Sequence, residues 1–214
     1  MKQEKEKKGL QKKKLIAAGV ILLLLLFLLF GLWKYFKSRN PVSGKAVPAV
    51  LTIETPPKKS AGDRETFLVD VTISALGEEV YPAASLNVIF DASRLEFMGV
   101  EEGNVMIPCE EMAGGGKRQL PEWQVDVEHC NRTGEIAVLY LDMTGGKYAF
   151  SQDLLEGEDN VLLRLAFRLR GSAKAGDIYE LTVSDAVFAA MDSAKSLASL
   201  SGTLTVRDGR IVVE

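Results

Sequence analysis

The sequence predicts an all-β sandwich or jelly roll set behind one N-terminal transmembrane helix. Three observations carry that expectation: an uncharged run at 15–33, short alternating apolar runs beyond it, and no long helical period after Trp33. Many short strands punctuated by glycine form the pattern of a sandwich.

The first element is the run Leu15–Trp33, in which only Gly19 and Gly31 are not apolar. At ~1.5 Å per residue it spans roughly 28 Å, the hydrocarbon thickness of a bilayer. A secretory signal would have a shorter apolar run, ~7–15 residues, and a small-residue cleavage site soon after it. Here Lys34-Tyr35-Phe36-Lys37 follows, and Val47-Pro48-Ala49 lies far downstream. An uncleaved anchor is expected. Seven lysines precede the span and three bases (Lys34, Lys37, Arg39) follow it closely. The positive-inside bias then puts the N-terminus in the cytoplasm of a single-pass cell-membrane protein, with Trp33, Tyr35 and Phe36 at the interface. The chain divides into a basic cytoplasmic tail (1–14), the transmembrane helix (15–33), a polar linker broken by Pro and Gly (34–48) and one extracellular domain (49–214).

The outer segment reads as strands in order. Ala49–Ile53 opens it, and a turn-rich stretch through Asp63 leads to Thr66–Ile73, whose Phe67, Val69, Val71 and Ile73 alternate with outward residues. In Ser85–Phe90 the inward set is Leu86, Val88 and Phe90, leaving Ser85, Asn87 and Ile89 outside. Trp123–Val127 follows the same rule. In Ile136–Leu141 the inward set is Ile136, Val138 and Tyr140, so Ala137, Leu139 and Leu141 face out. Strands are also expected at Val161–Leu169, Tyr179–Val183, Val187-Phe188 and Thr203–Val206. Asp208-Gly209, between Leu204–Arg207 and Arg210–Val213, is a strong two-residue hairpin signal. Gln152–Leu155 and Ser193–Leu200 have room for a turn or two of helix.

The net charge of −3 over 214 residues hides an asymmetry. Residues 1–45 hold eleven bases against two acids, and the remainder holds fifteen bases against twenty-seven acids. An acidic body repels phosphates, which excludes a nucleic-acid partner. Catalysis finds little material. The one histidine, His129, lies beside Cys130, and adjacent strand residues point to opposite faces, so the pair cannot share a proton. Two Cys and one His are too few for a zinc site. The acidic runs Glu101-Glu102, Glu110-Glu111 and Glu156–Asp159 fall in turns, where a solvated cluster is the default, and no calcium loop is present. Gly114–Gly116 before Lys117 lacks P-loop spacing. No catalytic residue, metal site or cofactor is therefore expected. Cys109 and Cys130, both outside, are expected to form a disulfide closing a 22-residue loop, worth roughly 3 kcal/mol in the chain-entropy model. Asn131-Arg132-Thr133 matches a glycosylation sequon.

Four stretches together resemble the cohesin domain family, bacterial sandwich modules that capture dockerin domains in cellulosomes. They are Ala61-Gly62-Asp63 with Phe67–Ile73, Leu86–Phe97 with Val100–Gly103, Gly134–Asp142, and Asp159-Asn160 leading into Leu163–Phe167. Ala92 and Asn160 stand where the family usually has Pro and Gly, and Ala83 and Ser85 stand where it often has polar contact residues. The resemblance implies a nine-stranded jelly roll, with Leu95 and Phe97 plugging one end. It also implies a contact surface at Leu139, Asp142 and Gly145 and around Ser85, Asn87 and Ile89. With the outward parity of Ala137 and Leu141, these residues form the expected partner-binding face. The expected function is a non-catalytic, membrane-tethered recognition module for a protein partner, a dockerin-bearing protein or an envelope protein, in polysaccharide degradation. Direct polysaccharide binding is weaker on sequence grounds, because sugar-binding sandwiches display strips of aromatics. Beyond residue 46 there are one Trp (Trp123) and four Tyr (Tyr81, Tyr140, Tyr148 and Tyr179), and no Trp-rich run. A purely structural envelope protein is the third reading.

Overall fold

The computed structural model describes residues 48–109, 120–155, 157 and 159–214. The basic tail, the 15–33 span, nearly all of the linker, Glu110-Glu111 and the triple glycine lie outside the described residues. Among the described residues, no helix is long and apolar enough to cross a membrane.

Among the described residues eleven strands build two facing sheets. In chain order they are β1 (Val50–Ile53), β2 (Phe67–Ile73), β3 (Ala83–Ile89), β4 (Leu95–Glu102), β5 (Gln124–Val125), β6 (Glu135–Leu141), β7 (Val161–Leu169), β8 (Ile178–Ala189), β9 (Leu197–Ala198), β10 (Thr205–Arg207) and β11 (Gly209–Val212). One sheet runs β10-β1-β2-β7-β4 and the other β11-β8-β3-β6-β5, with β9 pairing β8 beside it. All pairs are antiparallel except β1 with β10. The expected nine strands become eleven because β5 and β9 are two-residue additions at the margins and the C-terminal run divides between the sheets.

The alternation in the sequence places the core. Phe67, Val69, Val71 and Ile73 of β2 and Leu86 and Val88 of β3 are buried, as are Ile136, Val138 and Tyr140 of β6. Strand β7 is buried on nearly every residue; on its outer face Leu162 and Ala166 are buried and Arg164 and Arg168 are half-buried. Two aromatic groups fill the ends of the interior. Phe167 lies 5.7 Å from Phe90 and 5.6 Å from Phe97 between ring centroids. At the other end Phe150 sits 5.3 Å from Tyr140, 5.6 Å from Phe188 and 5.8 Å from Trp123. Edge and tilted contacts of this kind add to area burial. Leu95 and Phe97 are both buried, as the resemblance implied.

Three sequence expectations are corrected. The strand expected over Trp123–Val127 stops at Val125, and a helix, α1 (Val127–Thr133), follows. Asp126 caps its start by accepting the His129 N–H at 2.9 Å, and Gly134, at φ 75°, closes it with its N–H on the Cys130 carbonyl. Acid in the first turn, base in the last and a left-handed glycine after it are helix-terminus signals. His129 is therefore on a helix, exposed, with Arg132 Nη2 at 2.9 Å from its Nδ1.

The second correction concerns the disulfide. Cys109 and Cys130 carry no bond to one another. The helix turns Cys130 into the core at 1 % exposure. The base of the intervening loop is held instead by backbone pairing, with the Ile107 N–H donating to the Leu120 carbonyl at 2.9 Å.

Third, Asp208-Gly209 closes no hairpin. β10 pairs with β1 in one sheet and β11 with β8 in the other, so the chain changes sheets at Asp208. The Asp208 carboxylate accepts the Val183 N–H at 2.9 Å. Gly209 is required for close approach: a Cβ there would lie 2.7 Å from the Ile53 carbonyl oxygen and 2.6 Å from Ile53 Cγ2. Glycine serves a sheet corner here by the absence of a side chain.

Candidate functional site

Strand register brings the expected contact residues onto one sheet surface. Leu141 is opposite Ala83, Leu139 opposite Ser85, Ala137 opposite Asn87, and Glu135 opposite Ile89. On the far side of β3, Ala83, Ser85, Asn87 and Ile89 face Ala189, Val187, Asp185 and Thr182 of β8. Gln124 extends the Leu139 row, and Ala198 extends the Val187 row. Register partners share a face, so these side chains form the outer surface of the second sheet.

That surface is apolar for a solvated sheet. Ile89 is 50 % exposed, Leu139 41 %, Leu141 47 % and Ile178 53 %. Among the described residues it holds no ion pair. The outer face of the first sheet is built differently. Asp70 and Arg164 pair at 3.0 Å, Glu96 and Arg168 at 3.8 Å, and Thr72 donates to Glu54 at 3.0 Å. The first sheet carries cross-strand charge pairs and exposes Leu68 (37 %) and Met98 (38 %); the second carries none among the described residues and exposes four apolar side chains more fully. Contiguous exposed apolar residues of this kind mark interaction surfaces.

Asp142 and Gly145 occupy a different position. Asp142 is buried at the end of β6, and its carboxylate is spent on its own loop. It accepts the Thr144 N–H (2.8 Å) and hydroxyl (2.5 Å), the Gly146 N–H (2.8 Å) and the Tyr148 N–H (3.2 Å). Gly145, exposed at φ 78°, sits at the loop tip. Asp142 is thus placed to shape the loop beside the face. Burial pushes its carboxyl up, but the four donors outweigh that and hold it below the ordinary carboxylate value. A depressed folded-state pKa stabilises the protein above the unfolded value and is lost as pH falls through the folded one. The Asp142→Asn variant should therefore melt lower than wild type at pH 7, and the gap should close below about pH 4. Parallel melting curves at both pH values would show the carboxylate charge to be irrelevant.

A cleft of about 310 Å³ opens beside this loop, lined in part by Cys109, Gln124, Tyr140, Leu141 and Thr144. Among the described residues no three His, Cys, Asp or Glu side chains converge to hold a metal ion. The aromatics that could stack on sugar are turned inward: Tyr81, Tyr140 and Tyr179 are buried, and Trp123 and Tyr148 are half-buried.

Sequence reading marked Asn131 only as the head of a sequon and missed its structural role. Its Oδ1 accepts the Phe97 N–H at 2.9 Å, while Nδ2 donates to the Phe97 carbonyl at 2.7 Å and the Val127 carbonyl at 3.0 Å. Its side chain caps the edge of β4 as a strand would, and the nitrogen that a glycan would take is already in use.

No protein-family model matches the chain, and no curated protein sequence matches it. Solved structures do. One is the cohesin of the type I cohesin–dockerin complex Coh-OlpA-Doc918 from Clostridium thermocellum, at TM-score 0.56 and 15 % identity, covering 78 % of this chain and 100 % of that one. The fold is that of the cohesins. A second Clostridium thermocellum complex, Coh-OlpC-Doc435, aligns at TM-score 0.56 and 13 % identity over 82 % of this chain and 99 % of that one. The non-cellulosomal cohesin of the archaeon Archaeoglobus fulgidus aligns at TM-score 0.50 and 13 % identity, covering 78 % and 92 %.

Proposed function

We propose that this chain is a non-catalytic recognition module, tethered to the cell membrane through residues 15–33, that presents its cohesin-fold sandwich outside the cell to a dockerin-type protein partner. The observation that carries the reading is the outer surface of β8, β3, β6 and β5, which exposes Ile89, Leu139 and Leu141 and holds no ion pair among the described residues. Two of the solved neighbours are cohesin–dockerin complexes, which supports a protein rather than a polysaccharide as the occupant. The inward aromatics support the same choice. A role in polysaccharide degradation would come through an enzyme carried by the partner. The uncharged 15–33 run and its lysine flank support the tether.

One preparation tests both parts. Membranes bearing the full chain should keep it through a carbonate wash, and the washed chain should bind a dockerin module encoded in the same genome, saturably, at micromolar Kd or tighter. Release of a soluble chain beginning near Val50 overturns the tether. Failure of every such dockerin to bind overturns the partner.

A further inference from the structure

The end of the sandwich opposite the Asp142 loop gathers bases from three connections. It is the end where β2, β4 and β8 begin and where β3 and β7 finish. The bases meet around the β7–β8 link, residues 170–177. Arg94, from the β3–β4 turn, donates from Nη1 to the Ser172 carbonyl. Arg170 Nε donates back to the Ala92 carbonyl at 2.8 Å and the Leu95 carbonyl at 3.1 Å. Arg64, between β1 and β2, is fixed by the Ala61 and Asp63 carbonyls, both at 3.1 Å. Its Nη2 lies 3.9 Å from where a Gly171 Cβ would stand. Lys174 is exposed on the link itself.

The partners of these cations set them apart. Lys58, Arg132, Arg164, Arg168 and Lys195 each meet a carboxylate. Among the described residues Arg64, Arg94, Arg170 and Lys174 form no ion pair, and backbone carbonyls orient the three guanidiniums without cancelling their charge. The nearby carboxylates are each committed to their own turn through one oxygen. Asp63 accepts the Glu65 N–H at 2.8 Å, and Asp91 accepts the Ser93 N–H at 2.9 Å and its hydroxyl at 2.6 Å. Asp177 accepts the Tyr179 hydroxyl at 2.6 Å and the Lys174 N–H at 2.9 Å. Those two bonds, with the charges of Arg94 and Lys174, outweigh burial and hold the Asp177 carboxyl below its ordinary value. The second oxygen of each aspartate remains an acceptor.

We propose that this end binds an acidic polysaccharide, with Arg64, Arg94, Arg170 and Lys174 taking its carboxylates and Asp63, Asp91 and Asp177 taking its hydroxyls. A guanidinium presents its N–H donors as a planar fork that fits a carboxylate, and the carbonyl bonds occupy only part of each fork. A ligand carrying anions alone would be repelled by the three aspartates. A uronate-type repeat brings a hydroxyl donor beside each anion and so meets both kinds of group. Recognition by charge and hydrogen bonding needs no exposed strip of aromatics. From the dockerin reading this takes only the outward display of the domain. It shares no residue with the face around Leu139, so one domain has room for a polymer and a protein partner together.

Polygalacturonate is the probe, titrated at low salt into the detergent-solubilised full chain. Saturable binding is expected. Arg64→Ser with Lys174→Ser should weaken it about tenfold with an unchanged melt. If that melt falls, Lys174→Ser alone, which breaks no side-chain bond, should still weaken binding about threefold. Leu139→Asp should bind the polymer as wild type does. Fully methyl-esterified polygalacturonate keeps the hydroxyls without the charge and should not bind. Polyphosphate keeps the charge without the hydroxyls and should bind more weakly. Full affinity in the serine variants overturns the site and assigns the polymer to other cations, the lysines of 1–14 among them. Loss in Leu139→Asp moves the polymer to the sheet face. Tight binding of the ester overturns the role of charge, and polyphosphate binding as tight as polygalacturonate overturns the choice of a polysaccharide. No binding of polygalacturonate overturns the proposal whole, whatever the chain does with a dockerin.

Discussion

Leu139→Asp should abolish partner capture while the domain stays folded. Leu139 lies centrally in the outer surface, between Gln124 and Ser85, and is 41 % exposed. Central, desolvated side chains carry binding energy out of proportion to their number. An aspartate there would be buried by the partner with no cation beside it on this face, and burying an unpaired charge is costly. A loss of about 100-fold in affinity is expected, or ~2.7 kcal/mol. The folded chain alone should lose only about 1 kcal/mol, the span of strand preferences at a solvated position. Titration calorimetry and a thermal melt read the two quantities separately. A collapsed melt would mean that Leu139 is core and the sheet faces are exchanged. Unchanged affinity and unchanged melt would move the partner off this face.

That prediction could be framed from sequence because β3 and β6 are long, regular and buried on one side. With a period of two, Ile136, Val138 and Tyr140 settle the parity of Leu139 without any knowledge of the neighbouring strand. The features that stayed hidden are those decided by distant partners or by very short elements. Helix α1 is seven residues, under two turns, and Trp123, Val125 and Val127 before and within it alternate like a strand. Its caps were readable in Asp126 and Gly134, yet no apolar period was long enough to reveal what lay between them. Asp208-Gly209 has the chemistry of a tight turn, but the choice between a hairpin and a change of sheet depends on whether β10 finds β1. The cysteine pair was read from count and compartment, and both are silent about a helix that aims Cys130 inward. For Asp142 the resemblance supplied a position on the contact surface; the local sequence Asp-Met-Thr-Gly-Gly carries the loop that its carboxylate organises.

Asn131→Ala should be among the more destabilising single changes on the surface of this domain. Strand β4 is an edge of its sheet, and the Phe97 N–H and carbonyl point away from β7. Edge groups next to a buried residue must find partners, and Phe97 is buried at 1 % exposure. The Asn131 amide supplies both, with a third bond to the Val127 carbonyl tying the arrangement to the first turn of α1. Truncation removes three hydrogen bonds and leaves the Phe97 N–H and carbonyl without their side-chain partner under the packed helix. At ~1 kcal/mol per bond, with extra cost for groups left unpaired, the loss is about 2–4 kcal/mol. For a domain of this size that lowers Tm by roughly 10 °C. Asn131→Asp is the discriminating companion, because it keeps an acceptor for the Phe97 N–H but sets carboxylate oxygens against two carbonyls. It should do no better than alanine although it is nearly isosteric. If Asn131→Asp melts like wild type, the donor half of the amide contributes nothing. If both variants lie within about 1 kcal/mol of wild type by denaturant unfolding, water satisfies the β4 edge and α1 is not anchored through this side chain.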